Sequence, residues 1–210
     1  MKRLGILLSG RGSNFEAIAR NCASGKLAAR IAIVIANRED AGGIDLAKQM
    51  GLATCVLPSK GVAREEHDRR VAEALTAADV DLVVLAGYMR ILTAWFIQQF
   101  PQRILNIHPA LLPAFPGLDA QHQAWEYGVR FSGCTVHFVD EMMDSGPVIA
   151  QAVVPAFDDD TTETLSKRIL AGEHQIYSEA IDLVLSGRFR VEGRRVVRLS
   201  AFHEGDGNGL

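Results

Sequence analysis

The sequence predicts an α/β fold: a doubly wound, mostly parallel, Rossmann-like sheet with an antiparallel C-terminal extension. Three observations carry this expectation. Short apolar runs at Leu4-Gly5-Ile6-Leu7-Leu8, Ile31-Ala32-Ile33-Val34-Ile35-Ala36 and Val80-Asp81-Leu82-Val83-Val84-Leu85-Ala86 are each followed by helical periodicity. Strands alternating with helices in this way argue a parallel sheet covered on both faces. Two of these runs end in Gly-containing turns, Ser9-Gly10-Arg11-Gly12-Ser13-Asn14 and Gly87-Tyr88-Met89-Arg90, at the strand ends where such sheets bind ligands. Past Pro113 the pattern changes to alternating strands on either side of an acidic turn, which suits antiparallel pairing.

At 210 residues, 48% of them hydrophobic, the chain can bury a full core as a single domain. A net charge of −3 and a pI of 6.1 give no electrostatic case for nucleic acid or an anionic membrane as partner. No apolar run approaches the roughly 18 residues of a membrane-spanning helix. The run after Met1-Lys2-Arg3 stops at Leu8, too short for a secretory signal. Cys22, Cys55 and Cys134 are scattered without a Cys-x-x-Cys, so reduced thiols and a cytoplasmic setting are expected. His108, His122, His137 and Cys134 lack ligand spacing such as HExxH, and no metal is expected.

In chain order, the first run reads as a strand buried on both faces. In the turn after it, Gly10 and Gly12 allow close backbone approach, and Ser13 and Asn14 supply donors or a helix cap. Phe15 stands where the dinucleotide fingerprint needs its third Gly, and no Lys-Ser/Thr pair makes a Walker loop. The turn is therefore either an ordinary capped βα turn or a monophosphate site at a helix N-terminus. The second strand ends at Asn37, and a helix over 41–50 follows, with Gly51 as its left-handed terminator. Thr54-Cys55-Val56-Leu57 is a third, shorter strand before Pro58. Val71, Ala72, Leu75 and Ala78 predict a helix over 62–79, whose other face (Arg64, Glu65, Glu66, Asp68, Arg69, Arg70) reads as solvated.

After the fourth strand a helix is expected over 92–100, then a short helix over 121–127 capped by Gly128. Strands at 134–139 and 148–154 should pair antiparallel. Thr161-Thr162-Glu163-Thr164 has the form of a capping box and opens a helix to about 185, ended by Gly187. A hairpin turning at Gly193 and a frayed tail over 201–210 complete the chain.

The stretch Arg103-Ile104-Leu105-Asn106-Ile107-His108-Pro109 carries the chemistry. On an extended backbone, residues two apart share a face, so Asn106 and His108 project side by side from a strand end. An amide donor beside a titratable imidazole suits acyl chemistry. His137 shares a strand face with Thr135 and is either a support of this centre or a core residue.

Asn106-Ile107-His108-Pro109 and Leu111-Leu112-Pro113 resemble the folate-dependent formyltransferases, in particular the branch acting on glycinamide ribonucleotide. The resemblance extends to Leu85-Ala86-Gly87-Tyr88-Met89-Arg90-Ile91-Leu92, Thr135-Val136-His137-Phe138-Val139-Asp140 and Asp144-Ser145-Gly146-Pro147, and so covers nearly the whole chain. It implies transfer of the formyl group of 10-formyltetrahydrofolate, a co-substrate, to the amine of glycinamide ribonucleotide in purine synthesis. Residues 1–210 would form a single formyltransferase domain, with a phosphate-binding half over about 1–100 and a catalytic, folate-closing half over about 101–200.

By that resemblance Gly12, Ser13 and Asn14 hold the ribonucleotide phosphate, and Glu173 contacts the same substrate at the ribose. Arg64, Met89, Arg90, Ile91, Leu92 and Asn106 line the folate site, and Asp140, Glu141, Met142, Met143 and Asp144 close over the pterin. Asn106, His108 and Asp144 match the catalytic trio. Donors aimed at a developing oxyanion are typically worth about 2.7–4 kcal/mol, and a carboxylate such as Asp144 favours an imidazolium at His108. The partners implied are small molecules, with the chain a monomer or homodimer. One segment departs from the pattern: Asp119-Ala120-Gln121-His122 stands where the family carries a His-x-His-Arg-like cluster, so no catalytic role is carried to it. The tRNA-formylating branch, which has Arg-Gly after the Leu-Leu-Pro stretch, is disfavoured by Pro116-Gly117.

Overall fold

The computed structural model describes residues 1–199, and the frayed tail expected over 201–210 lies outside them. Lys2–Leu8 forms β1, Ala29–Ala36 β2, Thr54–Val56 β3, Leu82–Leu85 β4 and Ile104–His108 β5. These pair in parallel in the order β3-β2-β1-β4-β5. Helices α1 (Ser13–Ala23), α2 (Gly42–Gln49), α3 (Arg64–Ala77) and α4 (Ala94–Gln99) connect them. The chain continues through α5 (Ala120–Tyr127), β6 (Phe131–Phe138), β7 (Val148–Pro155), α6 (Thr162–Ser186), β8 (Phe189–Glu192) and β9 (Arg195–Arg198). β6 lies antiparallel to β5, and β7 antiparallel to β6. The β8–β9 hairpin extends the same sheet through one bridge, Val148 to Arg195.

Side-chain alternation along the buried strands sorts the core into two layers. Leu4, Ile6 and Leu8 of β1 pack with Phe15, Ile44, Ile169 and Tyr177, under α1, α2 and α6. Leu7, Val83 and Leu85 face the other way, against Val71, Leu75 and Phe96 of α3 and α4. Tyr177, 1% exposed, crosses the first layer with its hydroxyl 2.8 and 3.1 Å from the carbonyls of Leu85 and Leu105. It ties α6 to the two strands whose ends carry the site.

Three expectations need correction. The fourth helix starts at Ala94 rather than Leu92, because the Thr93 side chain accepts the Phe96 amide as its cap. Asp68, read as part of a solvated face, is fully buried and accepts the Thr93 amide at 2.7 Å. β6 begins at Phe131, ahead of the expected 134. Gly133 is no strand break there: a Cβ would collide with the Ala152 carbonyl of β7.

Candidate active site

β5 ends the parallel run of the sheet and brings Asn106 and His108 to one cavity. Asn106 sits between Leu85 of β4 and His137 of β6, its register partners on either side. That pairing places Asn106 Nδ2 3.2 Å from His137 Nε2. His137 Nδ1 lies 2.8 Å from the Phe138 carbonyl, which can only accept, so Nδ1 carries the proton. Burial pushes the His137 ring below its ordinary range, although the Phe138 carbonyl and the Asp144 carboxylate pull the other way. The neutral ring thus offers its Nε2 lone pair to one amide hydrogen of Asn106. This fixes the amide and leaves its second hydrogen for a ligand.

His108, 4% exposed, lies with Nε2 2.7 Å from the Phe115 carbonyl and Nδ1 3.3 Å from Asp144 Oδ2. The Phe115 carbonyl can only accept, so Nε2 carries a proton, and the Asp144 carboxylate stands beside Nδ1. Asp144 is itself held in place: the same Oδ2 accepts the Gly117 amide at 2.8 Å, and Oδ1 lies 3.7 Å from His137 Nε2. Phe115, Asp119 and Asp144 all have positive φ, between 49° and 54°. Left-handed backbone at non-Gly residues costs roughly 1–3 kcal/mol each and gathers at functional sites. The loop after β5 is braced from the sheet. Thr135 donates its hydroxyl to the Ala110 carbonyl at 2.7 Å and accepts the Leu112 amide at 3.0 Å, and Gln151 donates to the Leu112 carbonyl at 3.0 Å.

These groups line a cavity of about 680 Å³. Its walls are segments 87–92, 106–109, 117–119 and 139–144, so Met89, Arg90, Ile91, Leu92, Asn106, Asp140, Glu141, Met142, Met143 and Asp144 all face one space. Arg64 does not; it is exposed at the start of α3, one turn before Asp68. The cavity is of ligand size and largely apolar, with a few convergent polar groups in its floor.

Gly12, Ser13, Asn14 and Glu173 form a second, adjoining cluster at the end of β1. Gly12 takes φ 81° and lies so close to α2 that a Cβ would come within 3.0 Å of Gly43 Cα. The amide of Gly43 donates to the Gly10 carbonyl at 3.0 Å. The N-termini of α1 and α2 therefore converge on one turn, where free N–H groups and helix dipoles favour an anion. Asn14 Nδ2 donates to Glu173 Oε2 at 2.6 Å, while Asn14 Oδ1 is buried without a protein partner. Burial pushes the Glu173 carboxyl up, against the opposing pull of the Asn14 amide. Ser9 couples the two clusters: its hydroxyl accepts the Met89 amide at 2.8 Å and lies 2.6 Å from Asn37 Oδ1, and its amide donates to Gly87 at 3.0 Å.

Sequence reasoning did not single out Ser9, Gln151 or the Gly42-Gly43 start of α2, and left His137 open. Their roles depend on which strands are neighbours, and no local pattern carries that. In the departing segment, Asp119 and Gln121 line the cavity. His122 turns away, exposed, with its ring stacked 5.8 Å from Trp125.

A mostly parallel α/β sheet with two helix N-termini converging on one turn, beside a polar-floored cavity at the strand ends, has the layout of a small-molecule-binding α/β protein. The Formyl transferase family matches residues 2–181, and the chain belongs to that family. Phosphoribosylglycinamide formyltransferase of Haemophilus influenzae is 42% identical over 193 residues, covering 91% of each protein. The crystal structure of glycinamide ribonucleotide transformylase 1 from Symbiobacterium toebii superposes with a TM-score of 0.93 at 50% identity, covering 95% of each chain. Trifunctional purine biosynthetic protein adenosine-3 of Drosophila melanogaster is 43% identical over 190 residues, 89% of this chain, which spans only 14% of that relative's length. Among the described residues no helix is long and apolar enough to cross a membrane.

Proposed function

We propose that the chain transfers the formyl group of 10-formyltetrahydrofolate to the amine of 5′-phosphoribosylglycinamide, giving the formylated ribonucleotide and tetrahydrofolate. One observation carries this reading: Asn106, His108 and Asp144 meet in the floor of a folate-sized cavity that adjoins the Gly12 anion turn. The ribonucleotide phosphate sits on Gly12, Ser13 and Asn14, with Glu173 at the ribose. The pterin enters between segments 87–92 and 140–144. The relatives named for this reaction support the assignment.

The substrate amine attacks the formyl carbon, and charge develops on the formyl oxygen. The Asn106 hydrogen left free by His137 and the His108 imidazolium donate to that oxygen, help worth about 2.7–4 kcal/mol per donor. The bond from carbon to folate nitrogen then breaks. That nitrogen takes a proton from His108, and the attacking amine loses one through water beside Asp144, so the protons balance. His108 Nε2 is held by the Phe115 carbonyl at 2.7 Å, while Nδ1 stands 3.3 Å from Asp144 and is the ring nitrogen that turns to substrate. The reaction needs no metal. The chain works on small molecules in the cytoplasm, as a monomer or homodimer, without nucleic acid or membrane partners; its net charge of −3 supports this.

The test is a two-substrate assay with a tRNA acceptor arm, an arm without acceptor, and a chelator arm. Formylglycinamide ribonucleotide should accumulate in the ribonucleotide arm alone and be indifferent to the chelator. Equal release of formate without acceptor would make the chain a hydrolase. Loss of activity on chelation, restored by zinc, would overturn the metal-free chemistry.

A further inference from the structure

The face of α3 beneath the cavity wall holds a charge that the chemistry above does not use. Asp68 is 0% exposed, whereas Arg69 and Arg70 beside it are exposed. Its Oδ2 accepts the Thr93 amide at 2.7 Å, directly after the cavity-lining segment 87–92. On its other side His67 Nδ1 stands 3.7 Å from Oδ1, and His67 Nε2 is 2.9 Å from the Leu57 carbonyl. Four polar atoms here are buried without a protein hydrogen-bond partner: His67 Nδ1, Asp68 Oδ1, Tyr88 Oη and Arg90 Nε. Tyr88 and Arg90 both belong to the cavity wall.

Asp68, Tyr88 and Arg90 act on one another electrostatically. Burial pushes the Tyr88 phenol up and the Asp68 carboxylate adds to it, while Arg90 opposes. Burial also works against the Asp68 charge. The His67 ring, the Thr93 amide and hydroxyl, and the Arg90 guanidinium together outweigh it and hold the carboxyl below its ordinary range. A buried carboxylate costs several kcal/mol unless paired and hydrogen-bonded. An apolar residue would fill this place on α3 at less cost, and the charge sits where the wall segment meets α4.

We propose that Asp68 is a positioning residue for the folate wall: it anchors segment 88–93 through the Thr93 amide, which its Oδ2 accepts from inside the fold. The wall is thereby formed before the folate arrives, and the ordering cost is removed from binding. Asp68 lines no part of the cavity and touches no reacting atom. Naming the ligand as folate rests on the function proposed above.

Two variants grade the anchor. Asp68→Asn keeps a neutral acceptor for the Thr93 amide; Asp68→Ala removes it. Steady-state kinetics, thermal melts and calorimetric titration with tetrahydrofolate are measured on the full chain. Asp68→Ala should raise KM for formyl folate about tenfold, the size of one charge-assisted hydrogen bond, with kcat and ribonucleotide KM within about twofold. Asp68→Asn should fall between Ala and wild type, and the calorimetric Kd should follow the same order. A lower Tm with unchanged folate KM and Kd would make Asp68 structural only and overturn the proposal. So would equal loss in both substrates' KM values. Because Asp68→Asn conserves shape, it reports even where Ala fails to fold. Wild-type protein that takes up no tetrahydrofolate would overturn the functional reading itself, whereas variants that bind it like wild type overturn this inference alone.

Discussion

At His108, two acceptors bracket one ring, Phe115 on Nε2 and Asp144 on Nδ1. His137, one strand away, has the opposite environment: burial keeps it neutral and makes it an acceptor for Asn106. Two histidines in one site thus present different groups: His108 offers an N–H to Phe115 and faces the Asp144 carboxylate, whereas His137 offers a lone pair to Asn106. His108→Ala or Asp144→Asn should lower kcat by at least about 10²-fold, the scale of lost acid–base or electrostatic help. Near-normal turnover in single-turnover kinetics would remove that residue from the mechanism. The Asn106 and His108 pair was legible from the sequence because strand periodicity alone puts the two on one face. The state of His137 was not, since it is set by the register of β6 on β5 and by burial.

Among the elements, the β1–α1 turn shows how backbone shape brings two helix N-termini together. Gly12 lies at φ 81°, with Gly43 Cα only 3.0 Å from where its Cβ would stand. Gly12→Ala should cost roughly 1–2 kcal/mol from the left-handed backbone alone, visible in urea denaturation. By calorimetry it should weaken ribonucleotide binding and spare folate; equal loss of both would mean that the damage is not local. The turn's glycines were readable in sequence as close-approach positions. That α2 is what approaches was not, because the parallel sheet and not the local chain sets β2 and its helix beside β1. α3 makes the same point: spacing gave its apolar stripe, but Asp68 belongs to the buried side only because Thr93 is brought to it.

Across the whole molecule, buried titratable groups couple the site to stability. Glu173 is raised by burial, so the fold retains its proton above the ordinary carboxyl value of 4.5. The stability it contributes is present below that value and lost as pH rises through its folded pKa. Glu173→Gln should therefore raise Tm relative to wild type by an increment absent at pH 4 and growing toward neutrality, while ribonucleotide binding weakens. A pH series of thermal melts checks this, and a flat increment would show that burial of the charge is not the cause. His137 works in the other direction. Its folded value lies below the ordinary 6.5, so its contribution is present above 6.5 and lost as pH falls.

Periodicity, turn residues and the spacing of polar groups were enough to place five parallel strands, the antiparallel extension and the strand-end pair Asn106 and His108, because each rests on residues close in the chain. Assembly then placed Asp144 against His108 and Glu173 against Asn14, and it turned Asp68 inward while leaving Arg64 outside the cavity. These outcomes depend on long-range register and packing, where distant segments compete for the same few buried positions. That competition is settled by the free energy of the whole fold, and local patterns hold little information about it.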